Sequence, residues 1–189
     1  MKIFDRLILG TVQLGTSYGI ANSSGQPSSL VSQQILDLAH ESGIRSLETA
    51  GGYGTSQEIL GQFAAGRFQI LSKFIFKESE RKIRPYLEQT LRHLRVDKLH
   101  SYSCHRFSDL ERCDAQEVIS LKSDGLLEKF GVSVYTNAEI KAAAETPFVD
   151  VIQLPFNILD NHLLRGDAIK VAKVMGKEVH VRSIFLQGV

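Results

Sequence analysis

An alternation that runs the length of this 189-residue chain constrains its fold more than any other feature. Short apolar runs rich in Val, Ile, Leu and Phe are followed by longer stretches whose apolar residues recur every three or four positions, the pattern of βαβ units around a parallel sheet. Strands are predicted over 6–10, 46–49, 69–73, 98–105, 129–133, 150–154 and 178–184. Helices are predicted over 32–42, 56–64, 81–94, 114–123, 137–145 and 166–175, several opened by a Ser, Asp or Asn that can cap free amides. Gly43 suits a helix C-terminal cap. The aperiodic stretch 16–27, rich in Ser, Gly and Asn, reads as an active-site loop. Seven strands with right-handed connections fit either a doubly wound sheet or a barrel, so motif positions must decide. A complete (β/α)8 barrel takes about 250 residues.

Composition narrows the class of protein. With 43 % hydrophobic and 23 % charged residues, the chain can bury a sizeable core and is too apolar for disorder. Its 22 basic and 21 acidic side chains nearly cancel, which leaves no footprint for nucleic acid or an anionic membrane. A small neutral or anionic molecule is the expected partner. Cys104 and Cys113 are too few for a disulfide framework, and their spacing matches no zinc motif. No His and carboxylate cluster has ligand spacing, so no metal is expected. The opening MKIFDRLILGTVQLG holds one short apolar run without a cleavage site, and no stretch approaches the ~20 apolar residues that span a bilayer. A cytoplasmic location is expected.

The most specific segment is SLETAGGYGTSQEILG, in which a strand ends in Glu48 and hands over to a loop carrying Tyr53. Lys73 ends the third strand in ILSKF, and His105 ends the fourth in LHSYSCHRFSDL. In a barrel, such C-terminal strand ends form one mouth, where catalytic groups collect. The first segment resembles the aldo-keto reductase family, in which an acidic residue precedes Thr-Ala and a tyrosine follows in a Tyr-Gly step. Lys73 and His105 stand where that family places its catalytic lysine and histidine. QLPFNILD followed by RSIFLQG further resembles a bacterial branch of it.

The resemblance implies NAD(P)H-dependent reduction of an aldehyde, ketone or sugar carbonyl, with hydride going to the carbon and a proton from Tyr53 to the oxygen. A tyrosine titrates near pH 10, at about its free value, so a neighbouring cation such as Lys73 would help it donate. Glu48 would hold that ammonium, and His105 would orient the substrate oxygen. Gly10 and Thr11 in LGTVQLG, Ser133 in FGVSVY, Gln153 in VIQLPFN, and Arg182 and Ser183 in VRSIFLQG resemble the cofactor contacts. NADPH is the expected cofactor, with NADH as the alternative. Three departures stand out: Glu48 replaces the usual aspartate, Val134 replaces a frequent asparagine, and Arg182 replaces a stacking aromatic ring. A planar guanidinium can stack too.

The implied architecture is α/β, an incomplete (β/α)8 TIM barrel of seven strands and six helices forming a single domain over 1–189. The eighth strand and its helix, which in the family carry the basic residues for the adenosine 2'-phosphate, are expected to be missing. His93, His100 and His180 read as surface or structural residues, and Cys104 as packing turned away from the mouth. Two other functional classes remain. One is a nucleotide-sensing or interaction protein with a relaxed active site, motivated by Glu48. The other is an inactive chain whose unclosed barrel exposes strand edges. A sugar-phosphate isomerase would show a Gly-rich phosphate loop after the seventh strand, which RSIFLQGV matches poorly. The sequence sets neither the carbonyl substrate nor the oligomeric state.

Overall fold

The computed structural model describes residues 6–188; residues 1–5 and 189, the ends of the expected domain, lie outside the described residues. Its strands are β1 Ile8–Gly10, β2 Ser46–Glu48, β3 Gln69–Phe74, β4 Leu99–Cys104, β5 Leu127–Ser133, β6 Val151–Pro155 and β7 Glu178–Arg182. Its helices are α1 Val12–Gly15, α2 Ser29–Glu41, α3 Ser56–Phe63, α4 Arg84–Leu94, α5 Ala115–Ser123, α6 Asn137–Glu145 and α7 His162–Val174. A 3-10 helix covers Phe107–Arg112.

All seven strands lie parallel and in chain order, β1 to β7, which removes the doubly wound alternative because that fold reverses its order at a switch point. The sheet is curled. Lys73 on β3 reaches Gln153 on β6 at 3.2 Å, whereas three strand spacings in a flat sheet amount to about 14 Å. Together these features make an incomplete (β/α)8 barrel.

Alternation sorts each strand into two faces. Lys73, Ser103, Gly131 and Val151 pair in register on the inner face. Phe74, Cys104, Val132 and Ile152 form the adjacent row that faces the helices, where all four are buried. Phe74 stacks on Tyr102 at 4.9 Å, and Tyr102 and Phe130 are fully enclosed with Leu87 and Leu121 of the covering helices. Each such side chain stabilises the fold by about 1.5–3 kcal/mol through removal from water.

Local chemistry explains where the boundaries differ from expectation. Ser28 caps α2 by accepting from the Val31 N–H, so that helix starts at Ser29, ahead of the predicted 32. Helix α4 starts at Arg84 rather than 81, with Pro85 in its first turn, where a missing N–H costs nothing. Helix α7 starts at His162 rather than 166 because Asn161 caps it, and Gly166 lies inside the helix beneath the His162 ring. Strand β7 stops at Arg182 rather than 184, because Ser183 takes a left-handed φ of 60° that cannot extend a strand. The short α1 and the 3-10 helix are additions to the six predicted helices.

Candidate active site

The chain leaving β2 stays in the ladder of β3. The Thr49 N–H donates to Leu71 O at 2.9 Å and the Gly51 N–H to Lys73 O at 2.9 Å. This carries the loop over the C-terminal end of β3, and a turn from Ala50 O to the Tyr53 N–H, 3.0 Å, brings Tyr53 above Lys73. Two glycines lock the loop in place. A Cβ on Gly15 would fall on Tyr53 O and crowd Ser56, and one on Gly54 would fall on Gly15 O. Gly54 also has a φ of 55°, where a side chain is strained. Beneath them the hydroxyls of Thr11 and Ser56 meet at 2.8 Å, and those of Thr49 and Ser56 at 3.1 Å, in a buried cluster.

Lys73 is the hub. Its ammonium donates to the Tyr53 hydroxyl at 2.9 Å and to Gln153 Oε1 at 3.2 Å, and it is ion-paired with Glu48. These three partners use all three of its N–H donors. The Tyr53 hydroxyl also reaches Glu48 Oε1 at 3.3 Å, so the extra methylene of Glu48 does not uncouple the carboxylate from the pair. His105 is fixed by its backbone N–H donating to Phe74 O at 2.8 Å, and its ring meets Tyr53 edge-on with centroids 5.8 Å apart. Its Nδ1 is buried without a partner among the described residues.

Burial sets the protonation of this group. It pushes the Tyr53 phenol up to about 12, with Arg182 opposing. Burial, helped by the Arg182 guanidinium, draws the Lys73 ammonium down to about 7, while the adjoining Glu48 carboxylate favours the charged form. Burial, then the charges of Lys73, Arg182 and Arg106, hold His105 down at about 4. The simple expectation that the neighbouring cation leaves tyrosine easier to ionise is thus reversed, since desolvation outweighs it. Near neutrality Tyr53 keeps its proton and His105 is a neutral imidazole. The arrangement can deliver a proton from a phenol whose developing charge meets an ammonium.

The remaining expected residues divide. Gln153 belongs to the cluster, and Ser133 is its register partner on the inner face, itself buried. The Arg182 guanidinium lies 4.4 Å from the ring centre of Tyr135, and its Nη1 donates to Ser183 Oγ at 3.4 Å. Its Nη2 is buried without a partner among the described residues. A Cβ on Gly10 would stand 3.8 Å from Glu48 Oε2, ordinary contact, so the protein's own packing does not require glycine there. Thr11 is different. Its N–H and hydroxyl both donate to Glu48 O at 2.9 Å and its carbonyl accepts from Ser56 Oγ at 3.0 Å, so its side chain is committed to the base of the Tyr53 loop. A cavity of about 390 Å³ adjoins Gly10 and is walled by the 16–27 loop and by Gln187 and Gly188.

Sequence reasoning passed over Tyr135, Gly15 and Gly54. Tyr135 stands just past a strand end in FGVSVY, a position that could have drawn attention. Nothing in LGTVQLG or GGYG distinguishes a glycine pressed against another backbone from one in a turn. Among the described residues no group of three or more His, Cys, Asp or Glu is placed to hold a metal ion, and no helix is long and apolar enough to cross a membrane.

Residues 6–189 match the model of the Aldo/keto reductase family. No curated protein sequence matches the chain. A Pseudomonas aeruginosa structure assigned to the aldo-keto reductases is similar at 25 % identity and a TM-score of 0.80, covering 94 % of this chain and 73 % of its own. A Bacillus halodurans aldo-keto reductase in its holo form is similar in fold at 21 % identity and a TM-score of 0.78, over 97 % of this chain and 63 % of its own. A Bombyx mori aldo-keto reductase in complex with NADP shares the fold at 20 % identity and a TM-score of 0.72, over 94 % of this chain and 62 % of its own. The chain thus spans from about three-fifths to three-quarters of the length of these structures.

Proposed function

Because the chain belongs to the aldo/keto reductase family, we propose that it reduces an aldehyde, ketone or sugar carbonyl with a nicotinamide cofactor and with Tyr53 as the proton donor. The observation that carries this reading is the Lys73 ammonium, 4 % exposed, shared between the Tyr53 hydroxyl, Glu48 and Gln153. Tyr53 holds its proton at neutral pH and releases it toward the carbonyl oxygen as charge develops there. Lys73 stabilises the resulting phenolate, and Glu48 fixes the ammonium beneath it. His105, neutral and with ring nitrogens able to donate or accept, orients the substrate oxygen.

The residues present fit a nicotinamide cofactor. Among the described residues Arg182 has a buried donor without a partner, Gln153 offers an amide beside the cluster, and Gly10 leaves space that packing does not fill. Gln153, Ser133 and Arg182 would hold its ring end, with Gly10 and Ser183 alongside; when bound, it supplies the hydride. We favour NADPH over NADH on the family resemblance, supported by the NADP complex of the Bombyx mori protein. That Glu48 still reaches Lys73 supports catalysis over a relaxed, nucleotide-sensing site.

The test is cofactor consumption, read from the loss of NADPH absorbance with a panel of aldehydes and ketones. Turnover that falls by about 10²–10⁴ in Tyr53→Phe is the expected result. Unchanged turnover in that variant would remove Tyr53 from the reaction.

A further inference from the structure

Strand β4 ends in Cys104, and the chain returns nine residues later at Cys113 after the 3-10 helix Phe107–Arg112. The two sulfurs lie 3.4 Å apart. Alternation sends Cys104 to the helix-facing side of the sheet, fully buried and in register with Phe74 and Val132, so its sulfur is fixed by the ladder. Cys113 is partly exposed, and its thiol donates to Asp109 O at 3.3 Å. The chain's two cysteines thus form one facing pair, one member immobile and enclosed, the other within reach of solvent.

A disulfide needs its sulfurs at about 2.05 Å and its Cβ atoms at about 3.8 Å. Closing a gap that starts at van der Waals contact falls within a side-chain rotation and a small movement of the turn that carries Cys113. From these positions we infer that Cys113 and Cys104 are a peroxide-oxidisable dithiol that closes to an intramolecular disulfide across the loop bearing His105.

The reaction balances with hydrogen peroxide as the oxidant. The Cys113 thiolate attacks one peroxide oxygen; the S–O bond forms, the O–O bond breaks, and the departing hydroxide is protonated to water. Cys104 sulfur then attacks the Cys113 sulfenic sulfur; the S–S bond forms, the S–O bond breaks, and the released hydroxide takes the Cys104 proton to give a second water. Two thiols lose two electrons and one peroxide gains them. The order follows from access. Burial holds the Cys104 thiol well above its usual range, so it cannot compete as the first nucleophile, whereas it is already aimed at the sulfur it must attack.

The consequence is local. His105 follows Cys104 directly and is tied to Phe74 O, while the turn ahead of Cys113 carries Arg112, whose guanidinium donates to Lys77 O at 2.7 Å and stacks on Phe76 at 4.8 Å. Movement of Cys113 toward Cys104 therefore pulls on the strap between this turn and the loop after β3 rather than on the strand.

The purified full chain, treated with a few equivalents of hydrogen peroxide, quenched, denatured in N-ethylmaleimide and weighed intact, tests the inference. The expected product is lighter by two hydrogens, takes up no maleimide, and regains two alkylation sites after dithiothreitol. Trypsin cuts after Arg106 and Arg112, so a non-reducing digest should link 99–106 to 113–122 through one bond. Cys113→Ser should abolish that product, and the digest of the unsubstituted chain decides the matter even if the variant is unstable. The inference is overturned by an oxygen adduct on Cys113 with Cys104 still alkylatable, by a dimer joined through Cys113, or by two unreacted thiols.

Discussion

The two sides of the curled sheet are built differently. From β2 to β3 the polar groups hold one another: Lys73 spends its three donors on Glu48, Tyr53 and Gln153, and the Tyr53 loop is pinned by Gly15, Gly54 and a hydroxyl cluster. Around β7 and β1 the sheet edges are unpaired among the described residues. There α2 exposes Leu30 and Leu38, α7 exposes Leu163 and Val174, and Phe185 stands 80 % exposed. On the proposed function, the preorganised half would carry the proton chemistry and the looser half the groups assigned to the cofactor. Rigid placement matters more for the first task, because errors of about 1 Å can cost on the order of a hundredfold in rate.

The sharpest way to break this contrast is to remove one member of the ion pair. Lys73→Met leaves the largely enclosed Glu48 without its cation and should cost about 3–5 kcal/mol in urea unfolding, as well as turnover; adding Glu48→Gln should recover part of the stability. A cost below about 1 kcal/mol would mean the pair is not enclosed. Core packing gives the next effect. Leu36→Ala on the buried face of α2 should cost about 2–5 kcal/mol, and Leu38→Lys, two residues along on the exposed face, less than about 0.5 kcal/mol. Comparable losses at the two positions would mean that the outer face of α2 is covered in solution.

His105 sharpens the comparison through pH. Its folded value of about 4 lies below its ordinary 6.5, so between these values the unfolded chain binds more protons. Stability therefore rises with pH through that window and is lost as pH falls from 6.5 toward 4, by about 1–3 kcal/mol given partial exposure. His105→Gln should flatten that part of the urea-midpoint profile; an unchanged slope would assign it to other groups. On the loose side, Arg182→Ala should raise the NADPH dissociation constant about tenfold, some 1.4 kcal/mol, while leaving the unfolding midpoint nearly unchanged. A large fall in stability instead would make the stacking on Tyr135 structural.

Much of this was legible in the sequence because barrels place chemistry at strand ends, and strand ends show in the pattern. Glu48, Lys73 and His105 each close a predicted apolar run, and Tyr53 stands in a loop whose composition resembles a known segment. What could not be read were effects set by tertiary approach. Thr11 was expected to face the cofactor, yet α1 turns its side chain and backbone inward to Glu48 and Ser56. The elevated Tyr53 value depends on burial, which pattern alone does not give beside a cation. The facing sulfurs of Cys104 and Cys113 depend on a 3-10 turn that lacks an α-helical period.

The most direct test of the central claim, that the β2–β4 cluster and the β6–β7 groups form one reductase site, is to titrate NADPH into the purified chain and its Tyr53→Phe variant while following tyrosine quenching and cofactor emission at fixed salt. The account predicts saturable binding in the micromolar range for both proteins, with turnover confined to the unsubstituted chain. Absence of saturable binding by the unsubstituted chain would contradict it.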